Sequence, residues 1–139
     1  MATQTLHFEL VAPEKLLVSK PVAMVTVPGG EGVFGVLPGH APMITTVKAG
    51  VIEIYGDNEN TISDHIFVAG GFAEVTAERC TILAEEAMPI SDLHQAQLEV
   101  HAKELSDELS TAKSPAEQAD IETKMAVVSA KLAAISHKH

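Results

Sequence analysis

Basic residues are scarce in this sequence: nine lysines and arginines stand against nineteen aspartates and glutamates, a formal net charge of −10. Nucleic-acid binding needs a basic footprint, and electrostatic attachment to an anionic bilayer needs a polybasic patch. Neither is present, and no nucleic-acid partner is expected. The acidic balance serves solubility and suits a basic protein partner. Cysteine is nearly absent. The single Cys80 cannot form an internal disulfide, so nothing requires an oxidising compartment. Long apolar runs are missing as well. The longest uncharged stretch, Gly32 to Val47, is interrupted by Pro38, Gly39 and Pro42 and cannot serve as a membrane span. Met1 to Thr5 has no basic segment followed by an apolar core, so no secretory signal is expected. The sequence has neither an internal repeat nor a low-complexity segment.

What is present falls into two halves with different periods. From Leu6 to about Glu85 the apolar pattern has period two. Leu6, Phe8 and Leu10 alternate with His7 and Glu9; Val51–Tyr55, Ile62–Val68, Phe72–Thr76 and Cys80–Leu83 continue in that style. Pro28-Gly29-Gly30, Ala49-Gly50, Gly56-Asp57-Asn58 and Gly70-Gly71 read as turn signals between them. Short β-branched strands with regular turns imply an antiparallel β-sandwich or flattened barrel. No helix-period segment interrupts them, which argues against βαβ units.

After Pro89 the period changes. Leu98, Ala102, Leu105 and Leu109 form one seam, and Ile121, Met125, Val128, Leu132 and Ile135 form another. Both alternate three- and four-residue steps, the spacing of an antiparallel two-helix hairpin. Ser91 is the expected N-cap of the first helix. Ser114-Pro115-Ala116-Glu117 opens the second with a cap serine, a proline at the first helical position and the glutamate of a capping box. The expected fold is therefore mixed and segregated, β then α: a sandwich over residues 1–88 and a helical hairpin over 89–139. A sandwich of about 85 residues can hold its own core, whereas a hairpin of about 45 is marginal alone and must dock on something.

Sites of chemistry are hard to find. Gly30-Glu31-Gly32-Val33-Phe34-Gly35 matches the dinucleotide fingerprint by letter. That fingerprint works by opening a helix onto a phosphate, and Val36-Leu37-Pro38-Gly39 cannot start one. A β-connection with glycines at positive φ is the better reading, and no nucleotide-binding residue is assigned. His94 and His101 share a helix but lie about 10 Å apart along its axis, too far for one ion. His137 and His139 fall in a tail expected to fray, and His7 and His65 lack ligands at metal spacing. Only His40 sits in a shaped segment, Glu31 to Met43, where it can bond its own turn or a partner. Cys80 reads as a small buried hydrophobe, Glu85-Glu86 as a charged edge at a domain junction, and no serine has a nucleophile elbow. No catalytic residue, metal or cofactor is assigned.

Four segments carry a resemblance: Leu6-His7-Phe8-Glu9-Leu10-Val11, the string Glu31 to Met43 with its Gly-Val-Leu-Pro-Gly-His-Ala-Pro core, Val68-Ala69-Gly70-Gly71-Phe72-Ala73-Glu74-Val75, and Thr81-Ile82-Leu83-Ala84-Glu85. In this order and spacing the chain resembles the epsilon subunit of the F-type ATP synthase over nearly its full length. The resemblance implies a β-sandwich with a helical hairpin at the foot of the rotating central stalk. It implies a non-catalytic subunit that couples proton-driven rotation to ATP synthesis. The expected location is peripheral, on the cytoplasmic side of a bacterial inner membrane. Carried over by position, Glu31, Gly32 and Val33 face the polar loops of the c-ring. His40, Ala41, Pro42 and Thr45 face the gamma subunit. In an extended state the family's hairpin reaches the alpha and beta subunits and blocks ATP hydrolysis. Members that bind ATP carry an aspartate and an arginine early in the first helix; aligned through Asp92-Leu93, this sequence has His94 and Gln97 there, and no arginine follows Arg79. The residues alone leave two other classes open: a small-ligand-binding sandwich, which needs a concave apolar pocket with convergent polar groups, and a generic adaptor.

Overall fold

Eight strands precede two helices in a computed structural model that describes residues 5–137; Met1–Gln4, Lys138 and His139 lie outside the described residues. The strands are β1 (Leu6–Ala12), β2 (Lys15–Val22), β3 (Met24–Gly29), β4 (Gly32–Val36), β5 (Met43–Thr46), β6 (Gly50–Tyr55), β7 (Asp64–Val75) and β8 (Arg79–Pro89). They run in the order β2-β1-β8-β7-β6-β3-β4, with β5 also paired to β7. The first half of β7 pairs with β6 and the second half with β5, while β8 follows β7 along its length. The long β7–β8 hairpin thus belongs to both layers of the sandwich. The ladder is antiparallel except between β1 and β8, which are parallel from His7–Arg79 to Val11–Leu83.

The change of layer falls at Gly70-Gly71, which the sequence reads as a turn. The strand instead continues through both glycines, at φ 72° and 115°. A Cβ on Gly71 would stand 1.9 Å from the Leu83 carbonyl oxygen, so only glycine lets the two strands approach this closely as they bend. One further expectation changes: the shaped segment Glu31 to Met43 contains a strand, β4. The inward residues of every layer meet in one core: Leu6, Phe8 and Leu10 of β1, Val25 and Val27 of β3, Ile52 and Ile54 of β6, and Ile82 of β8 are fully buried.

The chain divides into two compact units between Pro89 and Ile90. In the second, a single 3-10 turn (Ile90–Asp92) precedes α1 (Gln95–Thr111) and α2 (Pro115–His137). Ser91 does not cap α1. The Leu93 N–H bonds to the Ile90 carbonyl at 2.9 Å and closes the 3-10 turn, so α1 starts a turn later, behind an extended His94 that makes no side-chain cap bond. Ser114 does cap α2: its Oγ accepts the Glu117 N–H at 3.1 Å, and Glu117 Oε2 reaches back to the Lys113 N–H at 3.1 Å. Leu98, Ala102, Leu105 and Leu109 are the residues of α1 withdrawn from solvent. The seam of α2 is withdrawn too, together with Val127, Ala130, Lys131 and Ala134, a broader face than the heptad spacing marks out.

Candidate interaction surface

The segment from Glu31 to Thr45 is held at both ends by main-chain bonds. At one end, β3 and β4 form a hairpin whose tip is Gly30-Glu31, and Gly32 follows at φ 133°. This tip is stitched to β5: the Gly30 N–H donates to the Thr46 carbonyl at 3.0 Å, the Lys48 N–H to the Pro28 carbonyl at 2.8 Å, and Gly29 bridges Val47. Glu31, Gly32 and Val33 are exposed, Val33 at 73%. At the other end the chain turns through Leu37–His40, and the Gly39 N–H donates to the Ala77 carbonyl at 2.8 Å. His40 bonds its own turn, with Nδ1 2.7 Å from the Ala41 carbonyl oxygen. Ala41 and Pro42 are exposed, whereas His40 and Thr45 are half-buried. Thr45 lies opposite the buried Ala73, so on β5 it is Ile44, 71% exposed, that projects outward.

Register then brings together residues that the sequence scatters. On the outer face, Leu16 of β2 is opposite Val11 of β1, Val11 is beside Leu83 of β8, and Leu83 is opposite Phe72 of β7. Leu16, Leu83 and Phe72 are each more than half exposed. Adjacent strands lie about 4.8 Å apart, so these four side chains form an apolar row about 15 Å long. Ile44 stands diagonally beyond Phe72, opposite Glu74. The next row is polar: Glu9 is beside Thr81, Thr81 is opposite Glu74, and Glu9 is bonded to Arg79. A shallow notch lined by Gly30, Glu31, Ile44, Thr45, Thr46 and Phe72 joins the hairpin tip to the end of the apolar row. The sequence reading missed Ile44, Phe72 and Leu83. Their apolar character is visible in the sequence, but their common face needs the register.

At a second depression the polar groups pair with one another. This depression runs along Leu17, Val18, Ile66 and Pro89; at its rim Lys20 and Asp64 pair at 3.0 Å, and Ser19 bonds His7 at 3.0 Å. It lacks the convergent free polar groups that a small-ligand site needs. Cys80 is fully buried, and loss of solvent pushes its thiol up to about 12, the environment of an inert cysteine. Gly32–Val36, where a dinucleotide loop would open its helix, is a strand. Among the described residues no three His, Cys, Asp or Glu side chains group at metal-binding distance. Among the described residues no helix is long and apolar enough to cross a membrane.

Residues 5–90 match the profile of the ATP synthase Delta/Epsilon chain beta-sandwich domain. The chain belongs to the ATP synthase epsilon chain family. It is 57% identical over 130 residues to the ATP synthase epsilon chain of Rhodospirillum centenum, covering 91% of this chain and 89% of that one. It is 47% identical to that of Rhodospirillum rubrum, covering 94% and 96%. Two solved structures share the fold. One is in a Euglena gracilis mitochondrial ATP synthase assembly of OSCP, F1 and c-ring, with TM-score 0.81, 24% identity and coverage of 94% of this chain and 81% of that one. The other is in the Tetrahymena thermophila mitochondrial ATP synthase central stalk and c-ring, with TM-score 0.72, 15% identity and coverage of 97% and 99%. Across the epsilon family match, the architecture is the eight-stranded sandwich followed by two helices.

Proposed function

We propose that this chain is a non-catalytic rotor subunit of the central stalk of a proton-translocating F-type ATP synthase, peripheral to the membrane on its cytoplasmic side. It carries rotation between the c-ring and gamma and has no active site of its own. The observation that supports this best is the apolar row Leu16–Val11–Leu83–Phe72, of which Leu16, Leu83 and Phe72 are exposed, in a chain of the epsilon family. Large apolar side chains aligned in one row and mostly open to water are the mark of a face that a partner covers.

In this reading gamma covers the outer face of β2, β1, β8, β7 and β5, with Ile44, Phe72 and Leu83 as apolar anchors. His40, Ala41, Pro42 and Thr45 border it at the β5 end. The hairpin tip, Glu31, Gly32 and Val33, meets the polar loops of the c-ring. Glu31 supplies an exposed negative charge there, and Gly32 and Val33 keep the approach low and apolar. The unit from residue 89 onward is regulatory and, when extended, meets the alpha and beta subunits. The test is a pull-down of the tagged chain from detergent-solubilised membranes, with partners identified by mass. Recovery of gamma and the c-subunit in constant ratio supports the reading. A chain recovered without gamma overturns it.

A further inference from the structure

We propose that the free edge of β4 takes up an extended segment of gamma as an added strand, with a large apolar or aromatic side chain of that segment seated over Gly35. The inference rests on the reading above, in which gamma binds this chain, and names a contact outside the apolar row. β4 ends the strand order and pairs on one side only, with β3. Their hairpin closes at Gly29–Gly32 across the tip Gly30-Glu31. In an antiparallel ladder Gly32, Phe34 and Val36 then turn their main-chain groups toward β3, while Val33 and Gly35 turn theirs outward. Pro28 stands opposite Val33, where the ladder needs no N–H. The N–H and C=O groups of Val33 and Gly35 therefore line an open edge. Open edges are usually guarded, and the others in this sheet are. β2 carries Lys15, Lys20 and Pro21, and its pairing with β1 is bulged between Leu10 and Val11. β5 has four residues, and Thr46 at its end is bonded to Gly30. β4 is Gly32-Val33-Phe34-Gly35-Val36, with neither a charge nor a proline.

Gly35 supplies a second, independent observation. Glycine inside a strand weakens it and often marks close approach by another group. Nothing within the chain asks for glycine here: its φ is not positive, and an added Cβ would meet only Met24 Sδ, at 3.8 Å. Gly29 shows how this hairpin covers a strand glycine. The Phe34 ring lies against it, with Cε1 2.7 Å from where a Cβ would stand. Over Gly35 that place is open, and a large side chain from a neighbouring strand is what stabilises an edge glycine. Gamma fits the position. β4 leads into the turn Leu37–His40 and on to Ala41 and Pro42, which border gamma, so a strand laid along β4 continues that contact. A second copy carries the same −10 charge and brings only its own Val33 and Gly35 to this face of the edge. The loops of the c-ring are polar and do not suit an uncharged strand.

The test is amide hydrogen exchange of the full chain, free and bound to gamma, read residue by residue. The Val33 and Gly35 amides are expected to exchange fast in the free chain and at least about a hundredfold more slowly in the complex. Those of Phe34 and Val36, already bonded to β3, are expected to be slow in both. Gly35→Pro removes one outward donor at a position where an edge strand tolerates proline. It is expected to weaken gamma binding at least about tenfold, while the free chain melts within about 4 °C of the parent. Unchanged exchange at Val33 and Gly35 in the gamma complex overturns the proposal, as does full gamma affinity in Gly35→Pro. Protection that grows with the concentration of the free chain assigns the edge to a second copy, and protection that needs the c-subunit assigns it to the ring; either overturns it. If Gly35→Pro does not fold, the exchange pattern of the unaltered chain decides alone. A failure of the stalk reading itself is distinguishable, because gamma is then absent from the pull-down before any exchange is measured.

Discussion

Phe72 on β7 and Leu83 on β8 are cross-strand partners whose side chains both stand outside the sheet, each more than half exposed. Their sequence neighbours Ala73 and Ile82, also paired, are fully buried. The same register that fills the core therefore places two large apolar side chains in water, a cost that a covering partner removes.

Leu83→Glu tests that cover. In the free chain the carboxylate would sit in solvent and cost little. Under gamma it would be buried without a partner, and an uncompensated buried charge costs about 3–5 kcal/mol. Association with gamma is expected to weaken at least about a hundredfold, roughly 3 kcal/mol. The thermal unfolding midpoint of the free chain should stay within about 3 °C. Titration calorimetry against gamma reads the first and a melting curve the second; unchanged affinity takes Leu83 out of the interface.

The alternation of Leu6, Phe8 and Leu10 with His7 and Glu9 is readable without coordinates, because each strand residue commits its side chain to one face. The helical seams and the Ser114 cap are equally readable, since their partners lie within four residues. What stays hidden depends on long-range pairing. Gly70-Gly71 has the composition of a turn, and only the approach of Leu83 shows it to be a bend inside one strand. Ser91 is a good cap by type, yet the burial of Ile90 draws the chain into a 3-10 turn first. That Phe72 and Leu83 share an outer face shows only when β7 is set against β8, and that Ile44 joins their side shows only when β5 is set against β7.

Gly71→Ala is expected to be among the most damaging single substitutions in the sandwich. The site combines φ 115°, which an L side chain rarely adopts, with a backbone oxygen 1.9 Å from the new Cβ. Positive φ alone costs about 1–3 kcal/mol, and the clash falls on main chain that cannot rotate away. A loss of at least about 2 kcal/mol is expected, read as a lower urea midpoint with unchanged slope. A variant as stable as the parent would mean that the bend does not need glycine.

Alkaline stability depends on Cys80. Burial raises its thiol from the unfolded value of 9.0 to about 12 in the folded chain. Between those values the unfolded state has lost the proton and the native state keeps it, so stability falls as pH rises. The contribution is fully present below pH 9 and is gone above about 12, with a slope of at most about 1.4 kcal/mol per pH unit. Tyr55 is raised as well, by desolvation first and the neighbouring Glu53 second, and adds to the same trend. Denaturation midpoints of the parent and Cys80→Ala from pH 8 to 11 separate the two. The variant should be somewhat less stable at pH 8 and fall less steeply; parallel curves would show that the thiol does not contribute.

The helical unit is expected to inhibit ATP hydrolysis only weakly. A segment that enters the catalytic head has to bring its charges into a partly desolvated site, where like charges are penalised and salt relieves only the exposed part. On α1, Glu99, Glu104, Asp107 and Glu108 are exposed against one lysine, Lys103. Asp92 lies just outside the helix, in the 3-10 turn. The basic side of α2 is weaker than its composition suggests, because Lys124 is paired with Asp120 at 3.4 Å. Lysine also lacks the planar fork with which arginine grips a carboxylate, and no arginine follows Arg79. Partial, salt-sensitive inhibition follows. ATPase activity of the reconstituted catalytic complex is compared with the full chain and with residues 89–139 deleted. Activity is expected to rise less than about tenfold on deletion, with the difference shrinking as salt screens the exposed charges. A larger rise that persists at high salt would mean that shape and apolar contact, not charge, govern the hold of this unit on the catalytic head.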